Sequence, residues 1–233
     1  MNEGEWFSPY WGILLLKLKI GKPFVDKLLK EGNKSREKNL DASDTLAGVI
    51  KGQFYYKYDY EEWFLPRFNE KILSVYEEKL KDFQPEPLTN KGAIKFPLKV
   101  VENSLWINYQ RCKEYNPPHK HDGDLSFVIY LQVPKGIVEE DLKEQDKSKK
   151  TYPGRINFFS GTNMPFSINS YSELPEVGDV FIFPSYLMHF VNPFESEGER
   201  ISVAGNIYLE TNSTFLEGLT EWNKVNKMKQ LGE

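Results

Sequence analysis

The segment between residues 94 and 210 constrains the fold most, because it is a succession of short apolar or alternating runs. Pro, Gly, Asn and charged residues separate the runs, and runs bounded in this way predict strands joined by turns. They begin near residues 94, 126, 156, 179, 189 and 201. Roughly six to eight strands in so short a region predict a jelly roll built from two sheets.

The flanking regions carry helical patterns instead. After Gly21, residues 22–35 place apolar side chains at helical spacing with Pro23 in the first turn, and residues 60–83 predict a longer helix with one apolar stripe. The remaining flanks are predicted as a strand that enters the core (10–20), a loop with a short strand (40–57) and an amphipathic helix (211–233).

These patterns predict one domain of the α+β class that is mainly β. Its parts are an N-terminal strand with supporting helices (1–93), the cupin-like jelly-roll core (94–210) and a C-terminal helix (211–233). The charged stretch between Pro134 and Tyr152 has two interpretations: a solvated insertion, or a loop that folds over the substrate as a lid.

Composition excludes several classes of protein. The chain has 30 Lys and Arg against 34 Asp and Glu, so it lacks the overall basic charge of duplex-binding proteins. Its single cysteine, Cys112, excludes an internal disulfide and fits a reducing compartment. The first residues lack the pattern of a signal peptide, and the apolar run from Trp11 to Leu16 is too short to span a membrane. A soluble, cytoplasmic protein without membrane partners is expected.

All three histidines of the chain lie in or beside predicted strands. His119 and His121 are one residue apart, so on an extended strand both side chains face the same way. His189 follows the predicted strand of residues 179–183. A lone histidine in such a strand is usually a core residue, but together with the pair it predicts one metal site. Imidazole suits iron, zinc, copper and nickel, so the ligands alone do not select the metal.

Arg200 and Ser202 lie one residue apart on the last predicted strand and therefore share a face. Arginine binds a carboxylate through two parallel hydrogen bonds, and a serine on the same face adds another donor. A cationic clamp beside a metal is suited to a dicarboxylate, with one end on the ion and the other on the arginine. Taken alone, Arg200 is equally well explained as a surface charge after the acidic loop.

Here the chain resembles a known family. The segments GDVFIFPSYLMHFVNPF and ERISVAGNIYL resemble the C-terminal half of the 2-oxoglutarate/Fe(II)-dependent oxygenases. More narrowly, PPHKHDGDLSFVIYL, FPSYLMH and RISVAGN resemble prolyl-hydroxylase-like oxygenases of marine tailed phages. The N-terminal PYWGILLLKLKI and LAGVIKGQFYY are similar to the same subgroup, so the resemblance covers most of the chain.

The resemblance implies a double-stranded β-helix that holds Fe(II) and the cosubstrate 2-oxoglutarate. The keto-acid end of the cosubstrate would bind iron, and its far carboxylate would bind Arg200 and Ser202. Reaction with O2 would hydroxylate a C–H bond and release succinate and CO2. If the chain is encoded by a phage, its location would be the cytoplasm of the host cell.

The chain departs from the wider family at the first pair of ligands. That family uses a histidine followed two residues later by a carboxylate, whereas this chain has His121 at that position. Three alternatives follow: three histidines bind the ion, a carboxylate enters from Asp122 or Asp124, or the motif is read as histidine-x-glycine with an open position. The preferred set is His119, His121 and His189.

Polar residues on inward faces are candidate cosubstrate contacts. Asn108 and Gln110 share a strand face with Trp106 and are poor choices for an apolar core, although ordinary buried amides explain them equally well. The same two interpretations, cosubstrate contact or ordinary buried polar group, apply to Ser126 and Asn206. Tyr130 is placed to reach a cosubstrate carboxylate.

Two functions from different classes are compatible with the histidines. The favoured one is a 2-oxoglutarate-dependent hydroxylase. The alternative is a cupin-like metal enzyme or binding module that does not use 2-oxoglutarate, but the glutamate that cupins carry soon after the histidine pair is missing before Glu139. The sequence does not identify the primary substrate. A protein or peptide side chain such as proline is favoured over nucleic acid, with aromatic residues available for stacking (Trp106, Phe158, Phe159 and Tyr186).

Overall fold

The computed structural model describes residues 13–57, 59–83, 96–145, 151–162 and 168–210. The N-terminal region consists of β1 (Leu16–Lys19), α1 (Lys22–Glu37), a 3-10 turn (Ser43–Thr45), β2 (Gln53–Tyr55), α2 (Tyr60–Phe68), a π-helical turn (Asn69–Leu73) and α3 (Ser74–Phe83). The region that follows consists of β3 (Val100–Gln110), β4 (Asn116–His119), β5 (Leu125–Gln132), α4 (Lys135–Gln145), β6 (Ile156–Phe159), β7 (Ser170–Glu173), β8 (Asp179–Pro184), β9 (Met188–Val191) and β10 (Arg200–Leu209).

The strands form two antiparallel sheets. The larger has the order β1-β8-β5-β10-β3-β2, and the smaller has the order β4-β9-β6-β7. From β3 onward the chain passes back and forth between them, with β3, β5, β8 and β10 in the larger sheet and β4, β6, β7 and β9 in the smaller. This interleaved pairing is a double-stranded β-helix, so the predicted mainly β jelly roll is confirmed.

The N-terminal helices cover the outer face of the larger sheet. Phe64 and Phe68 of α2 pack on Phe127 of β5, with ring centroids 5.7 and 4.7 Å apart. Gly205 of the neighbouring β10 leaves room for that ring, because a Cβ there would lie 2.6 Å from it. Alternation along the strand then turns Val128 of β5 toward the space between the two sheets.

The same alternation on β10 separates core residues from site residues. Ile201 and Val203 join the core under the helices, while Arg200 and Ser202 line a cavity between the sheets. Arg200 and Ser202 therefore share one strand face, as predicted, and that face is turned toward the cavity.

The N-terminal predictions agree with the structure in most respects. The strand predicted for residues 10–20 is present as the shorter β1 (Leu16–Lys19), the helix after Gly21 is α1, and residues 60–83 are helical with a π-helical turn at their centre. Residues 10–12 and the helix predicted for residues 211–233 lie outside the described residues. Strand β7 was not predicted, because its sequence, SYSE, is polar and exposed.

The prediction for the charged stretch after Pro134 was wrong in one respect. Residues Lys135–Gln145 form the helix α4 rather than a loop. The buried side chain of Ile137 and the buried ion pair between Asp141 and Arg155 hold this helix to the body of the fold. Within the described ranges, no helix combines the length and the apolar character needed to cross a membrane.

Candidate metal centre and anion pocket

The three histidines meet at one end of the smaller sheet. Strands β4 and β9 are antiparallel with His119 directly opposite His189, and their ring centroids are 4.3 Å apart. The chain stays extended beyond β4 because the backbone N–H of His121 donates to the carbonyl of Ser185 (2.9 Å). The ring of His121 thereby lies 4.9 Å from each of the other two. One potential ligand nitrogen from each ring lies within 4.8 Å of the other two.

Hydrogen bonds fix the orientation of two of the rings. Nδ1 of His119 lies 2.6 Å from the carbonyl of Pro117, and Nδ1 of His189 lies 2.9 Å from the carbonyl of Leu187. A carbonyl only accepts, so each Nδ1 carries the proton and each Nε2 presents a lone pair.

The spacing of these nitrogens suits a bound metal ion. Nε2 of His121 lies 3.2 Å from Nε2 of His189. Two imidazole nitrogens at about 2.1 Å from one ion and at right angles to each other would be about 3 Å apart. The donor set therefore fits an ion such as Fe(II), with imidazole ligands that this metal accepts.

Burial keeps the imidazoles neutral. It lowers the pKa of His119, and burial together with the neighbouring histidines lowers the pKa of His121 to about 2 and that of His189 to about 4. A metal ligand must be neutral imidazole, so the rings need no deprotonation at neutral pH before binding.

The two nearby aspartates do not join the histidines. Asp122 is exposed, and Oδ2 of Asp124 accepts from the backbone N–H of Leu209 (2.7 Å) at the end of β10. Among the described residues the cluster contains three histidines and no carboxylate. This geometry favours the three-histidine alternative over a ligand set that includes Asp122 or Asp124.

Arg200 lies buried in the same cavity, with 2% of its surface exposed. One terminal nitrogen donates to the carbonyl of Gly154 (2.6 Å), and the other donates to Oε1 of Gln110. Its Nε has no hydrogen-bond partner, and no carboxylate within the described part of the chain lies at ion-pair distance. The guanidinium is thus held by neutral groups and keeps an uncompensated charge.

Two further polar groups face the same cavity and have no side-chain hydrogen bond within the described part of the chain. Tyr130 is fully buried, its hydroxyl forms no hydrogen bond with any described residue, and its ring lies 5.5 Å from the guanidinium of Arg200. Burial raises the pKa of Tyr130 to about 12, so the hydroxyl keeps its proton. Ser202, also buried, makes no side-chain hydrogen bond to any described residue. A bound anion would satisfy these donors together.

The structure does not bring every predicted contact residue to the cavity. Asn108 lines it, and its amide is hydrogen-bonded to that of Gln53 (2.8 Å). Gln110 does not line the cavity, and its Oε1 instead accepts a hydrogen bond from Arg200. Asn206 accepts from the hydroxyl of Ser126 (3.0 Å) and does not line the cavity.

Sequence reasoning missed several parts of the site. Residues 46–48 and Ile50 form part of the cavity wall together with Asn116, and a Cβ on Gly48 would lie 2.3 Å from Oδ1 of that asparagine. The two glycines of LAGVIKGQ were the available signal for a close approach of the backbone. Gly154 contributes only its carbonyl oxygen, which no side-chain pattern reveals.

Comparison with protein families agrees with this geometry. Residues 104–206, a little under half of the chain, match the family described as "Putative 2OG-Fe(II) oxygenase". The matched segment includes His119, His121, His189, Arg200 and Ser202. The resemblance of the chain to the 2-oxoglutarate/Fe(II)-dependent oxygenases is confirmed over this segment.

Several solved structures are similar at low identity. A prolyl-4-hydroxylase from Pseudomonas putida has 16% identity and a TM-score of 0.49, with 83% of this chain and 91% of that chain covered. A prolyl hydroxylase from Trichoplax adhaerens, in complex with a hypoxia inducible factor peptide fragment, has 13% identity and a TM-score of 0.48, with coverage of 85% and 84%. HygX from Streptomyces hygroscopicus, with nickel and 2-oxoglutarate bound, has 14% identity and a TM-score of 0.42, with coverage of 82% and 80%. Likenesses this distant do not bear on the activity of the chain. No curated protein matches it.

Proposed function

We propose that the protein is a 2-oxoglutarate- and Fe(II)-dependent dioxygenase that hydroxylates a C–H bond. The observation that carries the proposal is Arg200, which is buried without an acidic partner in the described residues and shares its cavity with three histidines. Burying an unpaired charge costs several kcal/mol, at roughly the scale of a whole domain's stability. A group kept at that cost is expected to bind an anionic ligand.

In this proposal the histidines hold the iron and the arginine holds the cosubstrate. His119, His121 and His189 would bind Fe(II) through Nε2, and the bound ion would supply activation of O2. Arg200 would bind the far carboxylate of 2-oxoglutarate, with Ser202 as an additional donor. Tyr130 would donate its hydroxyl to the same carboxylate, because its raised pKa keeps it protonated.

The reaction balances in atoms and electrons. One oxygen atom of O2 enters the substrate as a hydroxyl group in place of C–H, and the other enters succinate. The two-electron oxidation of 2-oxoglutarate to succinate and CO2 supplies the remaining reducing equivalents. The chain's own groups would orient the cosubstrate, while apolar residues of the cavity wall (Ile156, Phe183 and Val191) would limit access of water.

A protein or peptide side chain such as proline is the substrate class that we favour. Trp106 lines the cavity with its ring centroid 5.7 Å from that of His121, so it can stack on a ring presented to the metal. Tyr186, in the turn between β8 and β9, is exposed and available to a larger partner. Phe158 is buried behind His189 and offers no such contact.

The test is conversion of labelled 2-oxoglutarate to succinate and CO2 by the purified chain. We expect turnover that requires both Fe(II) and O2, is lost in His189→Ala and is strongly reduced in Arg200→Gln. Arg111→Gln is the matched control, because Arg111 is an exposed arginine of the same sheet region that pairs with Glu199. Succinate formation that persists without Fe(II), or in His189→Ala, would contradict the proposal.

A further inference from the structure

The cavity that holds the histidines and Arg200 has no acidic side chain among its described lining residues. Several carboxylates of the surrounding elements are paired elsewhere, and Asp122 is exposed to solvent. Asp179 pairs with Lys17 and Lys19, and Glu199 pairs with Arg36 and Arg111. Asp141 pairs with Arg155. None of these groups is free to lend a negative charge to the cavity.

This absence leaves a charge imbalance once the proposed ligands are bound, and the inference therefore rests on the proposed function. Three histidines bind a metal as neutral imidazoles. The ion brings two positive charges, Arg200 brings one, and 2-oxoglutarate brings two negative charges. One positive charge remains in a cavity whose lining residues Tyr130, Arg200 and Ser202 are buried, where an unbalanced charge is disfavoured.

The position of His121 is the origin of the imbalance. An aspartate there would supply one negative charge at the metal and bring the loaded cavity to neutrality. Instead, His121 is held in place by the hydrogen bond from its N–H to Ser185, and no carboxylate among the described residues replaces it.

We propose that the primary substrate supplies the missing charge: it carries a carboxylate close to the C–H bond that reacts. Asn108 lines the same cavity, and because its Oδ1 accepts from Gln53 (2.8 Å), its Nδ2 is left as a neutral donor that binds a carboxylate without adding further positive charge. The carboxylate belongs either to a small organic acid or to an acidic residue of a peptide, since both present the same group.

The first test measures anion binding without turnover. The full chain is loaded with Co(II) in place of Fe(II) and with saturating 2-oxoglutarate, and sodium azide is added while the visible absorption of the ion is followed. The inference predicts a saturable spectral change in the wild-type complex. Absence of azide binding to this complex overturns it.

Two isosteric variants isolate the effect of charge. His121→Asp and His121→Asn both remove the imidazole and differ by one negative charge. With Co(II) and 2-oxoglutarate at saturation, we expect His121→Asp to bind azide at least about tenfold more weakly than His121→Asn, because a unit charge beside the ion acts over a few ångströms. Equal azide affinity in the two variants overturns the inference.

A second test keeps the wild-type protein and finds the source of the carboxylate. Small carboxylic acids and acidic peptides are each compared with their amide counterparts as stimulators of succinate formation. We expect acids to stimulate succinate formation at least about tenfold more than their amides. If the substrate is a small organic acid, the small acids show this difference, and if it is a peptide, the acidic peptides show it. Equal stimulation by acid and amide overturns the inference. If the chain does not bind 2-oxoglutarate at all, the proposed function itself fails, and the two failures are thereby distinguished.

Discussion

Arg200 and Gln110 lie directly opposite each other on β10 and β3, and the guanidinium donates a hydrogen bond to the side-chain oxygen of Gln110. The carbonyl of Gly154 accepts from the other terminal nitrogen (2.6 Å). Both partners are neutral, so they orient the cation without cancelling its charge. The arginine is therefore held in position before an anion arrives.

Substitution of Gln110 tests this arrangement. Gln110→Glu places a carboxylate against Arg200 that competes with the cosubstrate, and we expect the affinity for 2-oxoglutarate to fall by at least about a hundredfold, the scale of a buried charge pair. Gln110→Ala removes one hydrogen bond and should cost about threefold to tenfold. Calorimetric titration of the Fe(II)- or Co(II)-loaded variants gives both values. A Glu variant that binds 2-oxoglutarate as tightly as wild type would exclude this role for Gln110.

Removal of the Tyr130 hydroxyl should move stability and affinity in opposite directions. The hydroxyl is buried without a partner among the described residues, so Tyr130→Phe should leave the free energy of unfolding unchanged or raise it by about 1 kcal/mol. The affinity for 2-oxoglutarate should fall by about tenfold, because a hydrogen bond to a charged group is lost. Urea unfolding of the metal-free protein and titration of the loaded protein measure the two effects. A loss of stability with unchanged affinity would show that the hydroxyl has a structural role instead.

The ion pair between Asp141 and Arg155 should stabilise the segment around Gly154, whose carbonyl binds Arg200. Both side chains are mostly buried, and Arg155 directly follows Gly154, whose carbonyl holds the guanidinium. Asp141→Ala leaves Arg155 without its partner and should lower the free energy of unfolding by about 3 kcal/mol. The control is Asp26→Ala, which breaks an exposed pair with Lys22 and should change stability by less than about 0.5 kcal/mol. An equal change in the free energy of unfolding in Asp141→Ala and Asp26→Ala would contradict a stabilising role for the pair of Asp141 and Arg155.

The metal-free protein should lose stability as the pH falls below neutrality. The histidines have lowered pKa values when folded, about 2 for His121 and about 4 for His189, so the unfolded chain takes up protons near pH 6.5 that the folded chain does not. Stability from these groups is complete above about pH 6.5 and decreases as the pH falls toward the folded pKa values. Each such histidine contributes about 1.4 kcal/mol per pH unit in this window.

Replacing His121 tests the assignment of that pH dependence. Urea unfolding of wild type and His121→Gln at pH 7.5 and 5.5, with a chelator present, should show a smaller loss in the variant by about 1 kcal/mol. Carboxylates titrate mainly below this range and change little between the two proteins. The same loss in both proteins would mean that His121 does not contribute.

The part of the site that follows from strand alternation was predictable from the sequence. In RISVAGN the period of two places Arg200 and Ser202 on one face and Ile201 on the other, and the structure agrees. The pairing of His119 with His189 depends on the register of β4 and β9, which the sequence does not encode locally. The sequence indicates that the histidines meet only because the chain has three of them and all lie in or beside predicted strands.

Other features depend on contacts that no local pattern reveals. Gln110 faces inward as its periodicity predicts, but only the structure shows that Arg200 is its partner. The helix α4 was not predicted because its many charged side chains suggested a solvated loop. Its attachment to the rest of the fold depends on Ile137 and on Asp141, the partner of Arg155.

An anaerobic titration shows whether the histidines and Arg200 together bind a metal and a keto acid. The purified chain is mixed with Fe(II), and 2-oxoglutarate is added while visible absorbance is followed. We expect a charge-transfer band from the chelated keto acid that saturates in wild type and is absent in Arg200→Gln at the same cosubstrate concentration. Binding of Fe(II) without such a band at any concentration of 2-oxoglutarate would contradict it.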